Sequence, residues 1–337
     1  MRVGILGTGR ISWENVPALL RTGRVQITAL CNRTPEKAET LARAFALSVP
    51  VYSDYREMIA HEVLDVVLIG TPHDQHCEQF CHSARAGLHI MVEKPLASDV
   101  TEGRRMLGAA TEAGIRAAVC HTQRYLAPFQ TLRDYLRCSA PSEIGELVSV
   151  VDTLNFHFFH SQRPAWYFDP TQAGGMLFTH GAHQIDRIHF LLGGKAECVL
   201  ASIERRVPGC PVDSGYQILG IAGGRSFTAS CGGYPSPHTS ALQLNFTSGM
   251  VRVSLFDNGI DGVGVYVGRG EVGFERLECS YREEDAYLHQ FHALLDHLEG
   301  IPSDAPTLGE ALDVLKVLDA AARSAREGRS VNVDDEA

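Results

Sequence analysis

The chain has nine cysteines but no Cys-x-x-Cys pair, no basic cluster and no apolar run of membrane-spanning length. The first absence removes the usual dithiol and zinc-finger patterns, and the expected setting is reduced and cytoplasmic. Cys77 and Cys81, one helical turn apart beside His76 and His82, read as two small core-facing thiols and not as metal ligands. A net charge of -10 without any basic patch argues against a nucleic-acid partner. The missing apolar run argues against a membrane partner, and Met1-Arg2 leads into a strand pattern with no signal peptide. No internal repeat or low-complexity segment appears, and only the acidic Asp334-Asp335-Glu336 reads as disordered.

What is present is enough for two ordinary globular domains, since 337 residues exceed one typical domain and 45% hydrophobic content supplies core. Strand-like and helix-like segments alternate through the first third, the signature of a parallel sheet covered on both faces. After the first strand, strands are expected at Val25 to Leu30, Val49 to Tyr52, Val63 to Ile69, His89 to Val92 and Arg116 to Val119. Helices are expected near 10–22, 35–46, 54–61, 74–87 and 99–113, with Asp54 and Asp99 as N-caps and Pro35 in a first turn. Beyond about residue 123 the pattern changes. A helix near 127–138 precedes alternating segments at Val148 to Phe159, Cys198 to Arg206, Tyr216 to Ala222, Ser226 to Cys231, Ala241 to Phe246 and Met250 to Leu255. These fit an open, mainly antiparallel sheet, closed by helices near 284–299 and 307–327. The expected division is a doubly wound dinucleotide domain at 1–122 and an α+β domain for substrate and oligomer contacts at 123–337.

Two features carry chemistry. In Val3-Gly4-Ile5-Leu6-Gly7-Thr8-Gly9-Arg10-Ile11-Ser12 a strand runs into a glycine pair and then a helix. Gly7 suits the tight turn, Gly9 lets a pyrophosphate approach the backbone, and the helix N-terminus offers free N–H groups. Ser12 replaces the usual third small residue. Downstream, Glu93-Lys94-Pro95 ends the run His89-Ile90-Met91-Val92, so Lys94 is delivered by a strand end as a candidate acid/base.

With these pieces the chain resembles the glucose-fructose oxidoreductase, inositol dehydrogenase and MocA family over essentially its whole length. Four ordered motifs carry the resemblance: the glycine turn, Thr71-Pro72-His73-Asp74-Gln75-His76, Glu93-Lys94-Pro95, and Gly174-Gly175-Met176-Leu177-Phe178-Thr179-His180-Gly181-Ala182-His183-Gln184-Ile185-Asp186. The resemblance implies two domains meeting at a cleft, with the nicotinamide over the second sheet and the lysine beside the reacting carbon. It also implies that His183 is the general base for alcohol oxidation and that Lys94 orients and polarises the oxygen. A partly desolvated lysine near a cationic ring should have its charged form disfavoured. On a helix beginning near Gly175, positions 179, 183, 186 and 190 share a face. Thr179 is the third candidate catalytic position, and it departs from the family pattern, where Asp is common. Threonine can hydrogen-bond a hydroxyl but cannot counter the charge of Lys94 or His183. Asp186 reads as a brace.

The expected cofactor residues are Gly7, Thr8, Gly9, Arg10 and Ile11 of the turn, Asn32 and Arg33 after the second strand, Thr71, Pro72, His73, His76, Glu93, Lys94 and Gln123, with Trp166 as a pocket wall. Cys31-Asn32-Arg33-Thr34 has no carboxylate to grip the ribose hydroxyls or repel a 2'-phosphate, so NADP(H) is favoured over NAD(H). His157, His160, Arg163, Tyr167 and His180 are the expected substrate contacts. Strand positions three apart point to opposite faces, so His157 and His160 face one cleft only if the strand breaks. A zinc or manganese site from these imidazoles and His183 is the less economical reading, and no metal is assigned. The resulting expectation is hydride transfer between NAD(P) and a secondary alcohol or ketone of a sugar, cyclitol, other polyol or dihydrodiol. Redox-neutral glycosidase or lyase chemistry and a non-catalytic dinucleotide sensor are the alternatives. A large sheet face needing cover points to a homodimer or dimer of dimers.

Overall fold

A computed structural model describes residues 1–159, 165–170, 172, 175–256 and 262–335. They form two compact units, one of Met1–Thr122 with Tyr287–Leu312 and one of Gln123–Ala286 with Asp313–Ala337. The break between Thr122 and Gln123 coincides with the change in sequence pattern. Residues 287–312, expected in the second domain, instead go with the first unit.

The first unit alternates β1 (Arg2–Leu6), α1 (Ser12–Arg21), β2 (Gln26–Cys31), α2 (Pro35–Ala44), β3 (Val51–Tyr52), α3 (Tyr55–His61), β4 (Val66–Ile69), α4 (His76–Arg85), β5 (His89–Glu93), α5 (Val100–Ala113) and β6 (Ala117–Cys120). All pairings are parallel, in the order β3-β2-β1-β4-β5-β6. The chain therefore reverses direction across the sheet between β1 and β4, and a crevice for a dinucleotide opens beyond the carboxyl ends of those strands. The central strands are buried on both faces, as the apolar runs Val66-Val67-Leu68-Ile69 and Ile90-Met91-Val92 require. Asp54 accepts the Arg56 N–H and Asp99 the Glu102 N–H, each at 2.8 Å, so both expected N-caps form.

The second unit begins with α6 (Ala127–Cys138) and α7 (Ala140–Glu143), followed by β7 (Leu147–Asn155), α8 (Ala182–Leu192), β8 (Ala196–Glu204), β9 (Gly215–Ala222), β10 (Arg225–Gly232), β11 (Thr239–Phe246), β12 (Gly249–Ser254), β13 (Gly264–Arg269) and β14 (Val272–Arg276). Helix α9 (Ala286–Glu299) goes with the first unit from Tyr287 on, and α10 (Leu308–Glu327) and the short β15 (Val331–Asn332) follow it in sequence. The nine-stranded sheet runs β14-β13-β12-β11-β7-β10-β9-β8-β15, antiparallel except for β10 against β7. Strands β13, β14 and β15 were not expected: β13 and β14 carry glycines that read as turns, and β15 has only two residues. Strand β7 is also shorter than expected. It ends at Asn155, so His157 follows the strand and the face argument for His157 does not apply.

Candidate active site

Apart from His76, which opens α4, the expected cofactor residues of the first unit lie at or just beyond the carboxyl end of a strand. Gly7 follows β1 with φ +86°, and a Cβ there would sit 2.6 Å from the Gly70 carbonyl oxygen, so only glycine fits. Its N–H donates to Cys31 O at 2.8 Å, which ties the turn to the end of β2. Nothing lies within 4 Å of a Cβ built on Gly9, leaving open space where a phosphate needs it. Ser12 does more than fit: its hydroxyl, buried at 1% exposure, donates to Gly7 O at 2.7 Å and locks the turn to α1. Thr8 is buried, whereas Arg10 is exposed and Ile11 half-buried. Asn32 donates to the Thr8 hydroxyl at 2.7 Å and accepts the Thr34 N–H at 2.9 Å, while Arg33 is exposed beside it.

Lys94 is half-buried at the end of β5, before a cis Lys94–Pro95 bond. Thr71 and Pro72 are half-buried after β4, and Thr71 donates its hydroxyl to Gln79 at 2.7 Å. His73 is buried, which pushes its pKa well below the ordinary value, and the His76 and Lys94 charges push it further in the same direction. His76 requires a correction. It has no exposed surface, with Nε2 2.9 Å from Thr71 O and Nδ1 3.1 Å from Pro95 O. It braces the strand end that carries Lys94 and has no face to offer a cofactor. Glu93 is also buried and accepts from Asn15 Nδ2 at 2.9 Å; burial raises its pKa, against the Asn15 hydrogen bond and the neighbouring lysine.

In the second unit, Thr179 and His183 fall where the helix geometry changes. Leu177–Gly181 form a π-helical turn that passes directly into α8. The wider turn means that positions four apart do not stack as they would in an α-helix. Thr179 is only 3% exposed and Asp186 2%, whereas His183 is half-buried; His183 and Asp186, three apart in α8, share a face, and the π turn shifts Thr179 relative to it. Thr179 is therefore packed in the π turn with little exposed surface. The turn is anchored from outside the helix: Asp213 accepts the Leu177 N–H at 2.8 Å. Burial raises the Asp213 carboxyl to about 6, with the Leu177 hydrogen bond opposing.

His180 packs against the rings of Phe156 and Phe158, at centroid distances of 4.8 and 5.4 Å. Trp166 stacks on Tyr167 at 3.8 Å, and Tyr167 meets Phe158 edge-on. His157 is exposed. His160 and Arg163 lie outside the described residues. Among the described residues no group of three His, Cys, Asp or Glu side chains is placed to hold a metal ion.

Sequence reasoning missed a buried polar network around α8. Arg187 forks onto Asp152 of β7 through Nε at 3.0 Å and Nη2 at 2.6 Å, and its Nη1 donates to the Gln123 amide oxygen. Gln184 donates to Asp152 Oδ1 at 2.7 Å and accepts from the Tyr216 hydroxyl. Arg124 pairs with Asp186 through two bonds of 2.8 and 2.6 Å, which makes Asp186 the brace it was expected to be. The available signal was Asp152 itself, an acidic residue between Val150 and Leu154 on the inward side of the alternation. In the first unit, Tyr287 of α9 was also missed; it lies near Glu93, Glu14, Cys120 and Arg10, and burial raises its pKa.

Residues 1–121 match the family model described as oxidoreductase family, NAD-binding Rossmann fold, and residues 141–333 match the oxidoreductase family C-terminal alpha/beta domain. The chain is 27% identical over 206 residues to 1-carboxy-3-chloro-3,4-dihydroxycyclo hexa-1,5-diene dehydrogenase of Comamonas testosteroni, a match covering 61% of this chain and 51% of that protein. It is 24% identical over 340 residues to D-xylose 1-dehydrogenase (NADP(+)) 2 of Haloferax volcanii, covering 99% of this chain and all of the relative (100%). The fold is shared with levoglucosan dehydrogenase solved in complex with NADH, at a TM-score of 0.89, 20% identity and 100% coverage of both chains. Both family models fall on the chain in order, one over the parallel sheet and its glycine turn and one over the open sheet, and the chain accordingly belongs to the Gfo/Idh/MocA family of oxidoreductases.

Proposed function

We propose that this oxidoreductase transfers a hydride between NADP(H), in preference to NAD(H), and a secondary alcohol or ketone of a sugar, cyclitol, related polyol or dihydrodiol. The observation that carries the reading is Lys94, held half-buried at the end of β5 beside the crevice where the strand order reverses. The residues present fit a dinucleotide: the Gly7 turn excludes any side chain, the space over Gly9 is open, and among the described residues the buried Asn15 Oδ1 has no hydrogen-bond partner. Gly7, Thr8, Gly9, Arg10 and Ile11 would hold the pyrophosphate side, with Asn32 and Arg33 at the adenosine ribose. Thr71, Pro72, His73, Glu93, Gln123 and Trp166 would line the remainder. When bound, the nicotinamide accepts or supplies the hydride.

The chain's own residues supply the proton chemistry. Lys94 Nζ donates to the substrate oxygen and stabilises the charge that develops there, and His183 takes the hydroxyl proton during oxidation. Tyr167, His180, His157, His160 and Arg163 are the substrate contacts. The outer face of the second sheet, with Leu200, Leu219 and Ile221 at 41 to 51% exposure, is the surface for self-association.

The decisive experiment follows absorbance at the reduced-nicotinamide band with sugars, cyclitols, uronic acids and dihydrodiols, using both cofactors. Lys94→Met should lower turnover at least about a hundredfold, the scale of a lost positioned acid or base, with cofactor affinity little changed. His183→Asn should lose most activity and flatten the pH profile. Near-normal turnover in Lys94→Met removes the mechanism. Turnover of substrate without net change in free cofactor would favour redox-neutral chemistry, and cofactor binding without any turnover would favour a sensor.

A further inference from the structure

Gln123 is the first residue of the second unit, and its amide oxygen accepts from Arg187 Nη1. A guanidinium has only donors, so this contact fixes which end of the amide faces inward. The amide nitrogen is the end of this half-buried side chain that Arg187 does not engage. Arg187 cannot easily turn away, because two of its nitrogens are committed to Asp152. Asp152 is itself fixed by Gln184, and Gln184 by Tyr216. Asp152 and Gln184 have no exposed surface, and Arg187 and Tyr216 have 1% each. Such a network is stable only when complete, since losing one partner leaves a buried charge or dipole unpaired. It spans β7, β9 and α8, and Gln184 directly follows His183.

We infer that Arg187, held by Asp152, is a positioning residue that presents the Gln123 amide nitrogen as a donor to an oxygen of the dinucleotide and locks residue 123 to the helix carrying His183. The inference rests on the reading above that Gln123 touches the cofactor. Arg187 is too buried to touch it. Its effect on cofactor binding must therefore pass through Gln123.

The test measures NADPH dissociation constants by reduced-nicotinamide fluorescence for Gln123→Ala, Arg187→Lys and the double variant. Lysine keeps the charge beside Asp152 but cannot span two partners with a planar fork. Each single variant should weaken NADPH about tenfold, the factor for one lost hydrogen bond of roughly 1.4 kcal/mol. The double variant should bind no more weakly than Gln123→Ala alone. Additive losses overturn the inference while keeping Gln123 as a cofactor residue. Unchanged binding in Gln123→Ala overturns it together with that assignment, and a lowered melting temperature with wild-type affinity in Arg187→Lys reduces the pair to a structural role. If Arg187→Lys does not fold, Gln123→Glu carries the test: its carboxylate still pairs with Arg187 but donates nothing. It should keep or raise the melting temperature and bind NADPH about tenfold more weakly; wild-type affinity overturns the inference. None of these readouts needs turnover, so an error in substrate class leaves them intact.

Discussion

Replacing Gly175 with alanine tests how the helix bearing His183 is held. Gly175 has φ +77°, and a Cβ there would lie 2.0 Å from Asp213 Oδ1 and 2.9 Å from the Asp213 backbone nitrogen. The left-handed backbone alone costs an alanine about 1 to 2 kcal/mol. Expelling the Asp213 carboxylate breaks its 2.8 Å bond from the Leu177 N–H, a charge-assisted contact contributing about 1.5 to 3 kcal/mol. The expected loss is therefore about 3 to 5 kcal/mol. For a unit of this size each kcal/mol moves the melting midpoint by roughly 2 to 4 °C, so calorimetry should show a fall of about 10 °C. Adding Asp213→Ala removes the side-chain clash but not the φ penalty, and the double variant should be at least about 1 kcal/mol more stable than the two single losses imply. Strict additivity, or a Gly175→Ala midpoint within about 2 °C of wild type, would refute the anchoring geometry.

The same carboxyl gives a pH signature. Its folded pKa is raised from 3.8 to about 6, so the native state holds the proton more tightly than the unfolded chain. The stability contribution is full below the unfolded value and is lost as pH rises through about 6, a change of about 3 kcal/mol. Asp213→Asn keeps an acceptor for Leu177 and cannot ionise. It should match wild type near about pH 4 and exceed it by up to about 3 kcal/mol above about pH 7; parallel stability curves would show that Asp213 does not titrate there.

Two further outcomes follow from exposed residues. Arg33→Ala should weaken NADPH more than NADH, by about 1 to 3 kcal/mol for a charge-assisted hydrogen bond, as read by fluorescence titration. Equal losses, or a wild type that prefers NADH, would reassign the turn after β2. Leu219→Lys places a charge among the exposed apolar side chains of β8 and β9, opposite Leu200 in register, and should shift the sedimentation coefficient from a dimer or larger assembly toward a monomer. A wild type that already sediments as a monomer would sink the proposed self-association.

The alternation of apolar runs with helical segments was enough to determine the first sheet, because parallel strands buried on both faces must be continuously apolar and their crossovers must be helices. The glycine turn, both aspartate caps and the strand-end position of Lys94 were legible for the same reason: each depends on neighbours in sequence. Three other things were not. Sequence proximity assigned residues 287–312 to the second domain, and only packing returns them to the first unit. Helical spacing put Thr179 and His183 on one face, but a π turn, held by Asp213 from 36 residues away, changes the phase between them. The Asp152–Arg187–Gln123 chain joins positions 64 residues apart through charges that no local pattern pairs. Local sequence dictates what backbone propensity and burial periodicity can express; which buried polar groups find one another is decided only when strands and helices from distant parts of the chain pack together.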